Sequence, residues 1–385
     1  MTLPPGNGPC AHPVPYHTAF LEHALALAQS CLLLTAPNPR VGCVITSADG
    51  QLLGQGHTQK AGGPHAEIMA LRDAAARGHA VQGATAYVTL EPCAHQGRTG
   101  PCCDALIAAG IQKVVATHTD PNPRVAGQGF ARMRSAGIDV HVLAPDDPLA
   151  IASRELNIGF FSRMIRKRPW VRMKIAASLD GKTALTNCTS QWITSPEARA
   201  DGHAWRARAC LMLTGIGTAL ADNPRLDVRL VETPRQPAVA LVDSHLALPL
   251  DAGLFLPGRP MYLWAADRPD DKSSALETRG AQVFVRPDGH GKVDLAAMLQ
   301  DMAALEINEL HVEAGHTLNG ALISAGLVDE FLIYLAPKLL GLGRDMASFG
   351  PLTALSQAVP LTFVSTQMVG PDLRVLARVA GRDRF

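Results

Sequence analysis

The sequence predicts two α/β domains in tandem. Three observations carry that expectation. The chain has 385 residues, and domains commonly run roughly 100–200 residues, so two is the natural division. Apolar residues make up 47% of the chain and charged residues 18%, a balance that favours buried cores over disorder. Strand-like and helix-like segments alternate on both sides of one basic run, Phe160–Arg168, and that alternation marks sheets with helices packed on them.

The elements follow in order. Residues 1–15 are Pro/Gly-rich and lack a basic start followed by an apolar run, so they read as a disordered leader and not as a signal peptide. Phe20, Ala24, Leu27 and Cys31 recur at helical spacing, and the turn Ala36-Pro37-Asn38-Pro39 stops that helix. Val41–Thr46 reads as a strand and Ala48-Asp49-Gly50 as a hairpin turn. A helix begins near Pro64, where a missing N–H costs nothing, and runs through Ala75. Strands are expected at Ala84–Leu90, Lys113–Thr117 and Asp139–Leu143, with helices at Asp104–Ala109 and Phe130–Ala136. The basic run before Pro169 reads as a solvated linker, which divides the chain into residues 16–162 and 163–385. Beyond it, strands fit Val171–Ala176, Cys210–Leu213, Val239–Val242, Met261–Trp264, Val283–Val285, Leu310–Glu313 and Phe331–Ala336. Helices fit Pro196–Arg208, Leu295–Leu305 and Leu318–Ala325.

Composition excludes several classes of function. Net charge is +1, and residues 1–160 carry 10 Lys+Arg against 11 Asp+Glu, so neither half has the basic character of a nucleic-acid binder. The most apolar stretch, Ala24–Leu34, is too short to span a bilayer, and the expected location is the cytoplasm. Six of the eight cysteines fall in the first 103 residues, a spacing that suits metal binding or buried thiols better than a disulfide framework. The expected partners are small molecules, with no nucleic acid and no membrane. Oligomeric state is left open.

The strongest chemical signal is His65-Ala66-Glu67, followed by Pro92-Cys93 and Pro101-Cys102. A catalytic zinc site takes three protein ligands and leaves a fourth position for water. His65, Cys93 and Cys102 supply one imidazole and two thiolates. Zinc acidifies its water, and Glu67, two residues from His65 in a first helical turn, is placed to carry a proton from water to departing ammonia. The residues match the H-x-E and P-C parts of the zinc nucleobase-deaminase signature. They depart from its C-x-x-C part, because eight residues separate Cys93 from Cys102.

That long ligand loop, from Glu91 to Cys103, resembles the diaminohydroxyphosphoribosylaminopyrimidine deaminases of riboflavin synthesis. So do Pro37–Gly42, Gly63–Glu67 and Asp120–Pro123, and the resemblance runs over roughly residues 16–160. It implies a cytidine-deaminase-like α/β/α sandwich in which Cys102, not Cys103, is the third ligand. Asn38, His95, Arg98 and Thr99 stand on loops near the metal, Asn38 and His95 as the better substrate contacts.

In the second half no G-x-G-x-x-G follows a strand, so a Rossmann unit is not indicated. Val312–Ala321 instead runs strand, Gly-turn, helix, a geometry that suits a phosphate but is commonly structural. Lys174–Ala184, Ser190–Thr194 and Gly217–Pro224 together resemble the reductase domain of bifunctional riboflavin deaminase-reductases, which has a dihydrofolate-reductase-like fold. The resemblance implies NADPH as donor. It places Ala176, Trp192, Thr218, Asp222, Ser244 and the turn Gly315, His316, Thr317, Leu318, Asn319, Gly320 and Ala321 around the cofactor. It places Ser190, Arg206, Leu226, Arg229 and Glu313 around the phosphorylated substrate. Lys174, in the middle of an apolar strand, needs a partner. Pairing with Glu313 on a neighbouring strand would let it position or protonate the sugar's reacting end.

The expected activity is removal of the 2-amino group of 2,5-diamino-6-ribosylamino-4(3H)-pyrimidinone 5′-phosphate, then reduction of the ribosyl group to ribityl. Two alternatives stand beside it. One is a zinc deaminase of nucleosides or tRNA fused to an unrelated domain. The other is a second half that senses nucleotides without catalysis.

Overall fold

The computed structural model describes residues 18–94, 100–123 and 126–385. The chain forms two compact units. Unit 1 takes Pro39–Asn157 with the chain up to Thr35, and unit 2 takes Ile158–Phe385 with Ala36–Asn38. The expected leader and His95, Arg98 and Thr99 lie outside the described residues.

Unit 1 is a five-stranded sheet in the order β2-β1-β3-β4-β5. Its strands are β1 (Gly42–Thr46), β2 (Leu52–His57), β3 (Thr85–Val88), β4 (Lys113–Ala116) and β5 (Asp139–Val142). β1 runs antiparallel to β2 and β3, while β3, β4 and β5 are parallel. Five helices accompany it: α1 (Thr18–Ser30), α2 (Ala66–Ala76), α3 (Cys102–Ala108), α4 (Gln128–Ser135) and α5 (Pro148–Leu156). Glycine sets how closely two of them approach. A side chain at Gly42 would run into the α1 backbone, 1.8 Å from Ala24 O, and one at Gly56 would meet α2, 2.4 Å from Met69 Cβ. Gly56 pairs with Cys43, the neighbour of Gly42, and successive strand residues face opposite ways. α1 and α2 therefore cover opposite faces, which is the expected layered sandwich.

Unit 2 is a nine-stranded sheet in the order β11-β10-β9-β8-β12-β6-β13-β16-β15. Seven strands are mutually parallel: β6 (Trp170–Ser178), β8 (Leu211–Gly215), β9 (Ala238–Val242), β10 (Met261–Ala265), β11 (Ala281–Val285), β12 (Glu309–Val312) and β13 (Glu330–Ala336). An antiparallel hairpin of β15 (Leu361–Val369) and β16 (Asp372–Val379) closes one end. A small separate ribbon pairs β7 (Lys182–Leu185) with β14 (Gly343–Asp345). The helices are α6 (Ile158–Arg166), α7 (Pro196–Arg208), α8 (Ile216–Asp222), α9 (Asp270–Thr278), α10 (Leu295–Ala304) and α11 (His316–Ser324). α7 starts where the sequence predicts: Ser195 caps it by accepting from Ala198 N, with Pro196 in the first turn.

The two faces of this sheet differ. Val171, Met173, Ile175, Leu211, Leu213, Leu310 and Val312 form one apolar core. On β12, β6 and β13 the alternate residues include charged ones. Arg172 lies between Glu309 (3.1 Å) and Glu330 (2.5 Å), and Arg208 and Arg378 complete the chain at 2.7 and 3.0 Å. Each buried charge here has an opposite partner, the condition under which burial is tolerated.

One expectation is corrected. Phe160–Arg168 is not a solvated linker, since most of it is helix α6. Its basic residues hid an apolar stripe: Ile158, Phe160 and Phe161 are buried. Phe161 packs on Phe385, ring centroids 5.8 Å apart, and Arg166 lies over the same ring at 4.4 Å. Among the described residues no helix is long and apolar enough to cross a membrane.

Candidate zinc centre and reductase site

In unit 1, His65 is the N-cap of α2 and holds extended backbone. Its ring thereby sits beside the helix start, and Glu67 enters the first turn buried. Cys93 lies beyond β3, and Cys102 opens α3. His65 Nδ1 stands 3.5 Å from Cys93 Sγ and 3.4 Å from Cys102 Sγ. The three ligand atoms all lie within 4.8 Å of one another, and they form the one such metal-competent group among the described residues. One imidazole and two thiolates at this separation suit tetrahedral zinc with a position left open. Cys103 is buried but turned away, its Sγ 3.5 Å from Asp104 Oδ1.

The electrostatics fit the same ion. The hydrogen bond from Cys102, with His65 assisting, lowers Cys93, which favours a thiolate beside the imidazole. In the metal-free protein burial, then the Cys93 charge, pushes Glu67 up to about 7. A buried carboxylate, Glu91, two residues before Cys93, ties neighbouring backbone together. It accepts from the backbone N–H groups of Asp120 (3.0 Å), Gly127 (2.9 Å) and Phe130 (3.1 Å). Burial likewise raises Asp120 to about 7. Sequence reasoning quoted Glu91 only as the start of the ligand loop and gave it no role, although its place directly before Pro92-Cys93 was the available signal. Asn38 stands half-buried in the turn between α1 and β1.

In unit 2 the expected substrate residues split. Glu313 receives Arg206 as a fork, at 2.6 Å from Nε and 2.8 Å from Nη2, and Lys174 Nζ lies 3.8 Å from its Oε2. The expected Lys174–Glu313 pairing is therefore present, with Arg206 as a third member. Arg206 Nη1 also donates to Asp227 O at 3.0 Å, so its guanidinium is largely committed within the protein. Burial alone would raise Glu313, yet the Arg206 and Lys174 charges hold it well below the usual carboxylate range. Burial pushes Lys174 down, with Glu313 opposing. Arg229 is half-exposed and donates to Asp227 Oδ1 at 2.7 Å. Leu226 is buried in a second apolar cluster. Ser190 is half-buried on the loop before α7.

Sequence reasoning missed two histidines here. His203 Nδ1 accepts from Arg229 N at 3.1 Å. His311 is fully buried on β12, with Nε2 3.5 Å from Glu313 Oε1. The strand alternation Glu309, His311, Glu313 could have placed it on the charged face.

The expected cofactor residues also divide. β8 and β12 are parallel neighbours, so the turns into α8 and α11 lie side by side. A side chain at Gly315 would meet Thr218 Oγ1 at 3.2 Å, and one at Gly215 would meet Leu318 Cδ2 at 3.3 Å. Gly315 is the N-cap of α11 and no side chain caps that helix, the arrangement that receives a phosphate. His316 accepts from Ser348 N, Thr317 and Ala321 are exposed, and Asn319 donates to Met346 O at 3.0 Å. Gly320 packs on Ser348, where a side chain would come within 1.8 Å of its carbonyl oxygen. Ala176 is half-buried on β6, and Ser244 follows β9, its carbonyl accepting from Ala266 N. Asp222 ends α8, exposed. Trp192 is 59% exposed, with the Arg199 guanidinium 4.5 Å over its ring.

Comparison with known proteins resolves the family. The model of the RibD C-terminal domain matches residues 169–375, and that of the cytidine and deoxycytidylate deaminase zinc-binding region matches residues 15–118. The riboflavin biosynthesis protein RibD of Escherichia coli is 44% identical over 366 residues, covering 92% of this chain and 97% of that one. The chain belongs to the RibD family. Its fold agrees with solved members. Acinetobacter baumannii RibD superposes with a TM-score of 0.84 at 37% identity, over 94% of this chain and 98% of that one. A diaminohydroxyphosphoribosylaminopyrimidine deaminase/5-amino-6-(5-phosphoribosylamino)uracil reductase from Thermotoga maritima superposes with a TM-score of 0.82 at 30% identity, over the same shares. The chain is thus a RibD-type bifunctional enzyme of riboflavin biosynthesis, with a deaminase-like zinc domain first and a dihydrofolate-reductase-like α/β domain second.

Proposed function

We infer that unit 1 hydrolyses the 2-amino group of 2,5-diamino-6-ribosylamino-4(3H)-pyrimidinone 5′-phosphate, and that unit 2 reduces the ribosyl group of the product, 5-amino-6-(5-phosphoribosylamino)uracil, to ribityl with NADPH. The observation that carries this reading is the His65, Cys93, Cys102 cluster with Glu67 buried in the first turn of the same helix. When bound, zinc supplies the Lewis acidity that activates water near neutral pH. Glu67 then takes a proton at its carboxylate and returns it to the departing amine, a role that its buried place in the first turn, two residues from His65, supports. Glu91 holds the Asp120 and Gly127 backbone through its Oε2.

In unit 2 NADPH, when bound, supplies the hydride. The Gly315 turn and the Thr218 side fit its phosphates, since both present small groups and an uncapped helix start. Glu313 favours Lys174 as a cation against its burial and the neighbouring Arg206 charge, and places its ammonium to meet the sugar. Arg229 is offered as the group that meets the substrate phosphate, because its guanidinium remains half in solvent. The boundary expected at 162/163 falls inside α6, so we place the division at 157/158. Two thiolates in a metal site suit the reducing cytoplasm.

Cytidine, tRNA and the pyrimidine phosphate assayed side by side test the first half. Ammonia release from the pyrimidine phosphate alone is expected, and turnover of cytidine or tRNA instead would overturn it. For the second half, NADPH oxidation that requires the deaminated compound is expected. NADPH bound but never oxidised would make unit 2 a sensing module.

A further inference from the structure

We propose that His203 is a further substrate-binding residue of unit 2, its Nε2–H and Arg206 Nη1 donating together to an oxygen of the substrate's phosphate, which rests on unit 2 being the reductase of a phosphorylated ribosyl compound. His203 lies on α7, three residues before Arg206, and is only 4% exposed.

Its two ring nitrogens are not equivalent. Nδ1 stands 3.1 Å from the backbone nitrogen of Arg229. A backbone N–H can only donate, so Nδ1 accepts and carries no proton. Burial, then the Arg206 and Arg229 charges, holds the ring's affinity for a second proton down to about 4. The imidazole is therefore neutral near neutral pH, with its one proton on Nε2. Nε2 faces Arg206 Nη1 at 3.4 Å. A guanidinium has donors and no acceptor, so two donors meet there. Among the described residues no acceptor serves His203 Nε2.

The neighbouring acceptors are committed elsewhere. Glu313 receives Nε and Nη2 of Arg206, and Nη1 gives one hydrogen to Asp227 O at 3.0 Å. The Asp227 carboxylate holds Arg225 at 3.1 Å and Arg229 at 2.7 Å. Charge around the ring is positive in sum: Lys174, Arg206, Arg225 and Arg229 stand against Asp227 and Glu313. A buried donor without an acceptor is costly. A phosphate oxygen satisfies both donors at once, because it is anionic and accepts more than one charge-assisted hydrogen bond. Arg206 also links this pair of donors to Glu313 and Lys174, so one guanidinium joins the group that meets the sugar's reacting end to the group that meets its phosphate. A cofactor phosphate has the same chemistry, and the measurements below separate the two sources.

Steady-state kinetics of the full-length protein with the deaminated compound and with its dephosphorylated counterpart, at saturating NADPH, test this. His203→Leu should raise KM for the phosphorylated compound roughly tenfold or more with kcat held. KM for the dephosphorylated compound and the affinity for NADP+ should not move. His203→Gln, whose amide can accept from Arg229 N and donate from its other atom, should recover most of the loss. A purely structural role would weaken both compounds alike. Nitrogen NMR of the unaltered, histidine-labelled protein gives a reading independent of any variant's fold: His203 should carry its proton on Nε2, and that nitrogen should shift when inorganic phosphate is added to NADP+-saturated protein. A proton on Nδ1, no response to phosphate, a response that NADP+ abolishes, or equal losses for the two compounds in His203→Leu would each overturn the proposal. If the unaltered protein reduces neither compound, the reductase reading itself falls, and the NMR response still decides whether His203 and Arg206 hold a phosphate.

Discussion

The two sites solve one problem, holding charge out of water, in opposite ways. Unit 1 gathers His65, Cys93 and Cys102 from loop ends and helix starts, and leaves an ion to supply the positive charge. Unit 2 carries its own cations. Lys174 and Arg206 converge on Glu313 within a face already laced with Arg172, Glu309 and Glu330. The first arrangement collapses as a site when a ligand is lost, though its fold can persist. In the second, site and fold share the same ion pairs, so one substitution injures both.

That contrast can be broken at several points. The largest effect is expected for Cys93→Ser or Cys102→Ser. Metal analysis should show zinc lost and deamination at background, with NADPH-dependent reduction of the deaminated compound intact. Loss of both activities would show that the units are not separable in this way. Next comes Glu67→Gln, which keeps its size but cannot shuttle a proton. Zinc should stay bound while deamination falls by roughly 10²-fold or more, measured as ammonia release.

Glu313→Gln sharpens the other side. It leaves Lys174 and Arg206 buried with a neutral partner, and removing one member of a buried pair costs about 3–5 kcal/mol. Denaturant unfolding should therefore show unit 2 weakened and reductase activity lost, with deamination unchanged. An unaltered unfolding midpoint would refute the shared role of that pair.

A smaller effect concerns pH. Burial, then the Arg206 and Arg229 charges, holds His203 down to about 4 from an ordinary 6.5. Between those values the unfolded chain binds a proton that the folded one refuses, so stability falls as pH drops from 6.5 toward 4. The decline should be shallower in His203→Asn, read as melting temperature against pH. Glu313 acts in a lower window: its depressed affinity contributes stability above its unfolded value near 4.5, lost as pH falls further. The smallest effect is Cys103→Ser, which should retain zinc and turnover, since its thiol faces Asp104.

How much the sequence revealed follows the same contrast. The zinc ligands were legible because H-x-E and two P-C pairs are local, and helix starts place them. Most strands were legible too, because parallel strands buried on both faces read as apolar runs. The Lys174–Glu313 pair was legible from one misplaced charge in such a run. Its surroundings were not. Arg206 and His311 meet Glu313, and Asp227 and His203 meet Arg206, only after β6, β8 and β12 are ordered side by side, and sequence spacing carries no trace of that order. α6 was hidden because its arginines dominate the reading while Phe160 and Phe161 do the packing. The β15–β16 hairpin escaped because LTFVSTQMV mixes polar and apolar residues without regular alternation.

The central claim is that one chain performs a hydrolytic deamination in unit 1 and a separate reduction in unit 2. Mass spectrometry of one incubation with the diaminopyrimidine phosphate, with and without NADPH, tests it most directly. Without NADPH the product should carry oxygen in place of the amine and the ribosyl group unchanged. With NADPH the same product should gain two hydrogens. Reduction of the substrate before its amine is lost, or no deamination until NADPH is added, would contradict the account.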